Sequence, residues 1–160
     1  AMMVPFVAVL VPLFQMFTKA KLINTWAAFI LPSIATPFLI MYFRNSARSF
    51  PRDTLEAARI DGLNEFQIFV RMFIPMMKPT YASAATITFM SAWNAYLWPK
   101  VVMQTNEAIT MPMLVANTMG GYVIDYGVVM AAVTICSLPT VIIFFCLQKS
   151  FTNAVAGAVK

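Results

Sequence analysis

Long apolar runs, separated by one charged stretch, constrain this chain more than any other feature. Residues 2–17, 23–43, 80–103 and 127–147 carry among them a single Lys, Arg, Asp or Glu, which is Lys100. About 20 apolar residues in a helix cross a ~30 Å hydrocarbon core. The composition fits that setting: 61% of residues are hydrophobic and 11% are charged, against about 25% charged in soluble domains. Such a chain cannot cover a water-facing surface. The sequence predicts an all-α, polytopic membrane protein with about four spans. The first is short and broken by Pro5 and Pro12. Pro32 and Pro37 should kink the second, and Pro139 lies inside the fourth.

The charged stretch, residues 44–78, has its own local logic. Asp53 and Glu56 stand at capping-box spacing, and Leu55 to Ile60 are good helix formers. Gly62 suits the left-handed position that ends such a helix. Asn64 can begin a second helix, with Gln67 three residues on. In it Phe66, Phe69, Val70 and Phe73 recur at helical spacing, and Pro75 and Pro79 should close it. The expected product is a short helix, a glycine turn and an amphipathic helix.

Charge placement orients the spans. Arg44, Arg48, Arg52, Arg59, Arg71 and Lys78 lie in the charged stretch, and Lys149 and Lys160 in the tail. The 104–126 segment holds only Glu107 and Asp125, and reads as a polar loop with Pro112 and a Gly120–Gly121 turn. The positive-inside rule places the charged stretch and tail in the cytoplasm and the 104–126 loop outside. Lys19 and Lys21 then fall outside, against the rule. Nucleic-acid binding is excluded, because the basic residues flank apolar runs rather than forming a stripe. The chain has no His, which removes His-based catalysis and His metal sites. Cys136 and Cys146 are ten apart in an apolar run. Helical geometry separates them by about 15 Å, too far for a disulfide.

The spacing Glu56-Ala57-Ala58, Gly62, Met72-Phe73-Ile74-Pro75 resembles the "EAA" loop of ABC-importer permeases. Its flanks, Phe50-Pro51-Arg52-Asp53, Trp93 to Pro99 and Gly157 to Lys160, resemble the carbohydrate-uptake branch. The nearest likeness is to the second permease subunit of maltose-, lactose- and glycerol-phosphate-type systems. The resemblance implies a multi-pass subunit of a bacterial cytoplasmic (inner) membrane. It implies three partners: a cytoplasmic ABC ATPase dimer, a second homologous permease and an extracytoplasmic solute-binding protein. Glu56, Ala57, Ala58, Asp61, Gly62 and Pro75 would couple it to the ATPase, with Glu56 pairing to a basic residue there. ATP and Mg would sit in that partner, with no cofactor bound by this chain. Permeases of this kind have six spans, so the resemblance also implies that the first two and part of the third are missing. In the maltose type the sugar is held mainly by the other permease.

Span three is expected to be one helix with two faces. Ser83, Thr86, Ser91, Asn94 and Trp98 share the polar one, and Ala84, Ala85, Thr88, Ala92 and Ala95 form a ridge of small residues. Ser91 and Asn94 either line a translocation path or hydrogen-bond a neighbouring helix. Trp98 and Tyr96 read as an aromatic belt. Rival readings are an ABC permease for amino acids, phosphonate or polyamines, and an ion-driven secondary transporter. The latter usually needs intramembrane carboxylates or His, and the four runs have none.

Overall fold

The computed structural model describes residues 3–105, 109–121 and 124–157. Among them every regular element is helical. Helix α1 is Phe6–Lys19. It starts later than the apolar run because Pro5, extended at φ −65° and ψ 139°, is its N-cap. The chain then turns through Lys21 and Asn24, both at positive φ. Asn24 tolerates that conformation, and it ties the turn down. Its N–H donates to the Val102 carbonyl at 2.8 Å, and its side-chain oxygen accepts from the Gln104 N–H.

The second run is interrupted rather than merely kinked. Helix α2 is Trp26–Ile30 and continues as one 3₁₀ turn, Leu31–Ser33. Helix α3 is Pro37–Arg48. Thr25 and Thr36 cap α2 and α3 by accepting from Ala28 N and Leu39 N, each at 3.3 Å. From Trp26 to Arg48 the segment is 23 residues, long and apolar enough to cross a membrane. It runs beyond the expected end at residue 43, so Arg44 and Arg48 ride on its last turns.

Helix α4 is Arg52–Ile60 and α5 is Glu65–Ile68. A π-helical turn, Phe69–Phe73, leads into α6, Ile74–Met76. Helix α7 is Lys78–Trp93 and α8 is Leu97–Val102. The expected single third span is thus two helices, broken at Asn94 to Tyr96. Pro99 explains the break: it offers no N–H to the Ala95 carbonyl, and its ring clashes with a continuing helix. The expected loop after it contains a further helix, α9, Met111–Thr118, with Pro112 in its first turn. Glu107 lies outside the described residues. Helix α10, Tyr126–Gly157, carries Pro139 inside it. Of the expected Gly157–Lys160 motif, only Gly157 falls within the description.

Helix α7 packs along α10 and against α3, while α8 packs on α1 and α2. Two tryptophans join these units by donating to helix carbonyls that lie just before prolines. Pro32 deprives the Ala28 carbonyl of its usual donor. The Trp98 indole N–H supplies one, at 2.8 Å in a buried position. Pro139 breaks the α10 ladder at Ile135, and the Trp93 indole donates to the next carbonyl, of Cys136, at 2.8 Å. Trp98 is therefore core, not belt. With Ala28, Val102 and Met103 it forms a buried cluster against Leu13, Phe14 and Phe17. The Phe17 ring meets it edge-on at 5.5 Å.

Candidate functional site

The segment joining α3 to α7 folds back as an elbow. Phe50 anchors it, buried and 5.2 Å from the Phe73 ring. Pro51, at φ −61° and ψ 120°, is the N-cap of α4. The expected Asp53–Glu56 capping box is not formed. The helix begins at Arg52, so Asp53 is already helical and cannot take the extended geometry of a cap. It lies in the first turn, where its charge favours the helix dipole. Asn64 does cap α5, in a reciprocal box with Gln67: Gln67 N donates to Asn64 Oδ1 at 2.9 Å, and Asn64 N to Gln67 Oε1 at 3.0 Å.

Between the two helices the chain makes a Schellman turn. Gly62 sits at φ 80°. Its N–H donates to Arg59 O at 3.1 Å, and Leu63 N–H donates to Ala58 O at 3.1 Å. These bonds satisfy carbonyls that a helix end leaves unpaired. Across the turn Arg59 Nε donates to Glu65 Oε1 at 2.8 Å. That bond, and the charge behind it, hold the Glu65 carboxyl below its ordinary range. A depressed carboxylate stabilises above its unfolded pKa, and the contribution fades as pH falls through the folded value. Both side chains are in water, so the pair orients the turn more than it strengthens it.

The candidate coupling residues divide by role. Ala58 is buried at 2% exposure. Glu56, Ala57, Asp61 and Gly62 are exposed. Pro75 does not close the second helix: it lies in α6, and the helical run continues to Met76. The π turn before it is a local rewinding where Pro75 removes the donor for the Arg71 carbonyl. The expected apolar stripe is not buried. Phe66 is 76% exposed, and Phe69 and Val70 are also open. Ile60, which periodicity alone reads as a mere helix former, is 86% exposed. Two large apolar side chains thus flank Gly62 amid Glu56, Arg59, Asp61 and Glu65. The sequence signal for Ile60 is its place at the very end of a charged helix.

Capping gives a direct test. Asn64→Ala should cost about 1 kcal/mol of elbow stability, whereas Asp53→Ala should cost clearly less. Hydrogen exchange of the 52–76 amides should show faster opening for the first variant only.

The two candidate path residues separate. Asn94 turns back on its own helix, donating through Nδ2 to Met90 O at 2.8 Å. Ser91 lines a groove of about 710 Å³ between α2–α3 and α7–α8, with Ser33, Thr36, Thr88 and Trp98. The expected polar face also divides. Ser83 and Thr86 are buried and bond to Pro79 O and Ala82 O of their own helix. Of the ridge of small residues, Thr88, Ala92 and Ala95 line the groove, so they are open in this chain rather than packed against a helix.

Residues 1–157 match the family described as binding-protein-dependent transport system inner membrane component. The lactose transport system permease protein LacG of Rhizobium radiobacter is 43% identical over 159 residues, 99% of this chain and 58% of that protein. The arabinooligosaccharides transport system permease protein AraQ of Bacillus subtilis is 35% identical over 160 residues, 99% of this chain and 57% of that protein. Among solved structures, a bacterial ABC transporter involved in import of the acidic polysaccharide alginate superimposes with TM-score 0.77. It is 25% identical, covering 87% of this chain and 55% of that one. The chain spans a little over half the length of the curated relatives it matches.

Proposed function

This chain belongs to the family of binding-protein-dependent transport system inner membrane components, and from that premise we propose that it is part of the permease subunit of an ATP-driven sugar importer. The observation that carries this reading is the elbow. A charged helix ends in a left-handed glycine, with Ile60 and Phe66 bare on either side, in an otherwise apolar chain. A cytoplasmic protein that clasps α4 would cover both apolar side chains and meet Glu56 with a basic residue. The proposed clasp is the ABC ATPase dimer, which also holds ATP and Mg, while this chain supplies no catalytic site. A second homologous permease completes the path, and an extracytoplasmic binding protein delivers the solute. Relatives named for lactose and arabinooligosaccharides support a neutral saccharide as cargo.

Two measurements test this. The full-length permease should co-purify with an ATPase and a second permease, and vesicles holding the complex should accumulate a saccharide only with ATP and binding protein. A cysteine replacing Arg59, in a background lacking Cys136 and Cys146, should react with an impermeant thiol reagent only from the cytoplasmic side. Labelling from outside would reverse the orientation and remove the elbow from the reach of any ATPase.

A further inference from the structure

The groove beside Ser91 is walled by both helix breaks, and the prolines behind those breaks leave two backbone carbonyls of its lining residues without their helical donor. Pro37 has no N–H for the Ser33 carbonyl, and Pro99 has none for the Ala95 carbonyl. The Ala28 carbonyl, freed in the same way by Pro32, is satisfied by Trp98. Among the described residues no donor reaches the carbonyl of Ser33 or of Ala95. Both residues line the groove.

The hydroxyls around them are partly committed. Ser33 donates to Ile30 O at 2.7 Å, Thr88 donates to Ala84 O at 2.8 Å, and Thr36 accepts from Leu39 N. The Ser91 hydroxyl makes no hydrogen bond to the described residues, and Ser91 lines the same space. Non-helical backbone at bilayer depth persists only where protein or a water-filled cavity meets it. This groove therefore calls for hydrogen-bond donors. An acyl chain has none, and neither does the apolar face of a helix.

The remaining walls narrow the ligand further. Phe6, Phe29, Phe38 and Trp98 present aromatic surface, and among the described residues no Asp, Glu, Lys or Arg lines the groove. A charged solute would find no counter-charge there and would lose its hydration. The volume of about 710 Å³ suits a small-molecule site. We propose that this groove is a hydrated subsite for a neutral, polyhydroxylated solute. The Ser33 and Ala95 carbonyls and Ser91 Oγ accept from its hydroxyls, and the aromatic rings lie against its C–H faces. The assignment rests on the importer reading above and adds that this subunit itself touches the cargo.

The test uses the full-length permease with its partner permease, ATPase and binding protein in liposomes. Every native cysteine of the full-length permease, Cys136 and Cys146 among them, is replaced by Ala, and Ser91→Cys, which nearly preserves volume, supplies the only thiol in this subunit. Iodoacetamide, small and neutral, should label that thiol. A saccharide the complex transports, lactose or an arabinose oligosaccharide, should slow labelling at least fivefold during turnover. Ser91→Ala should raise KM for uptake several-fold with ATP hydrolysis retained. No labelling by iodoacetamide means a dry groove filled by a helix or lipid, and overturns the proposal. Labelling that a transported saccharide does not slow, together with an unchanged KM in Ser91→Ala, overturns the subsite alone. If the wild-type complex takes up no neutral saccharide at all, the cargo reading falls and takes the subsite with it.

Discussion

Gly62→Arg should abolish uptake while leaving the permease in the membrane. Gly62 is at φ 80°, a conformation that costs an ordinary L-residue roughly 1–2 kcal/mol. A Cβ built there meets nothing within 4 Å, so the harm is conformational rather than a clash. The chain can escape the strain only by changing the turn, which breaks the Gly62–Arg59 and Leu63–Ala58 bonds and re-aims α4 against α5. The loss is too small to prevent insertion of the apolar segments. It is large enough to misdirect Glu56, Ile60 and Phe66 relative to one another. Gly62→Asn should retain most uptake, because Asn visits this region readily. Glu56→Lys should resemble Gly62→Arg by reversing the charge offered to the partner. The measurements are uptake, permease abundance in membranes and ATPase retained on purification. Near-normal uptake for Gly62→Arg, or loss of the permease itself, would defeat the coupling role.

Trp98→Ala should give the largest stability loss of any single substitution in the described core. Removing a buried Trp costs about 3–5 kcal/mol through lost contacts and the cavity left behind. Here it also strands the Ala28 carbonyl, whose usual donor Pro32 has already removed. An unsatisfied buried acceptor costs about 1–3 kcal/mol. Trp98→Phe separates the two effects, since it keeps most of the apolar bulk and drops only the indole N–H. The expected order of thermal midpoints for the purified complex is wild type, then Trp98→Phe, then Trp98→Ala. Pro32→Ala combined with Trp98→Phe should recover part of the loss seen in Trp98→Phe alone, because replacing the proline returns a backbone donor to the Ala28 carbonyl. Equal midpoints for Trp98→Phe and wild type would show that the indole bond contributes nothing.

Much of this is legible in the residues, for reasons that are physical. The apolar runs point to the helical class because hydrocarbon allows a backbone few ways to pair its polar groups. The glycine turn is legible because Gly62 follows a run of helix formers with nothing else suited to a left-handed cap. Asn64 and Gln67 announce their box for the same local reason. Inferences that need neighbours fare worse. Trp98 looks like an interfacial aromatic until the Ala28 carbonyl is placed beside it, 70 positions away in the chain. Asp53 has capping-box spacing, but Pro51 starts the helix first. A wheel drawn through Asn94 assumes one helix where Pro99 makes two, so Ser91 keeps its place on the groove and Asn94 does not. Helix α9 stays hidden when its segment is read by charge rather than by the apolar Met111–Val115 run within it.

The helix breaks also have a kinematic consequence. Helix α8 is held to α1 and α2 through Trp98 and Asn24, while α7 is held to α10 through Trp93. The short non-helical links at Ile34 to Thr36 and Asn94 to Tyr96 are then two of the covalent crossings between two bodies, the third being the longer connection from α8 through α9 to α10. One is a cap of α1, α2 and α8. The other is a longer shaft of α3, α7 and α10 that carries the elbow at its far end. A push on the elbow would travel up the shaft as a rigid displacement and be spent as a change of angle at these two joints.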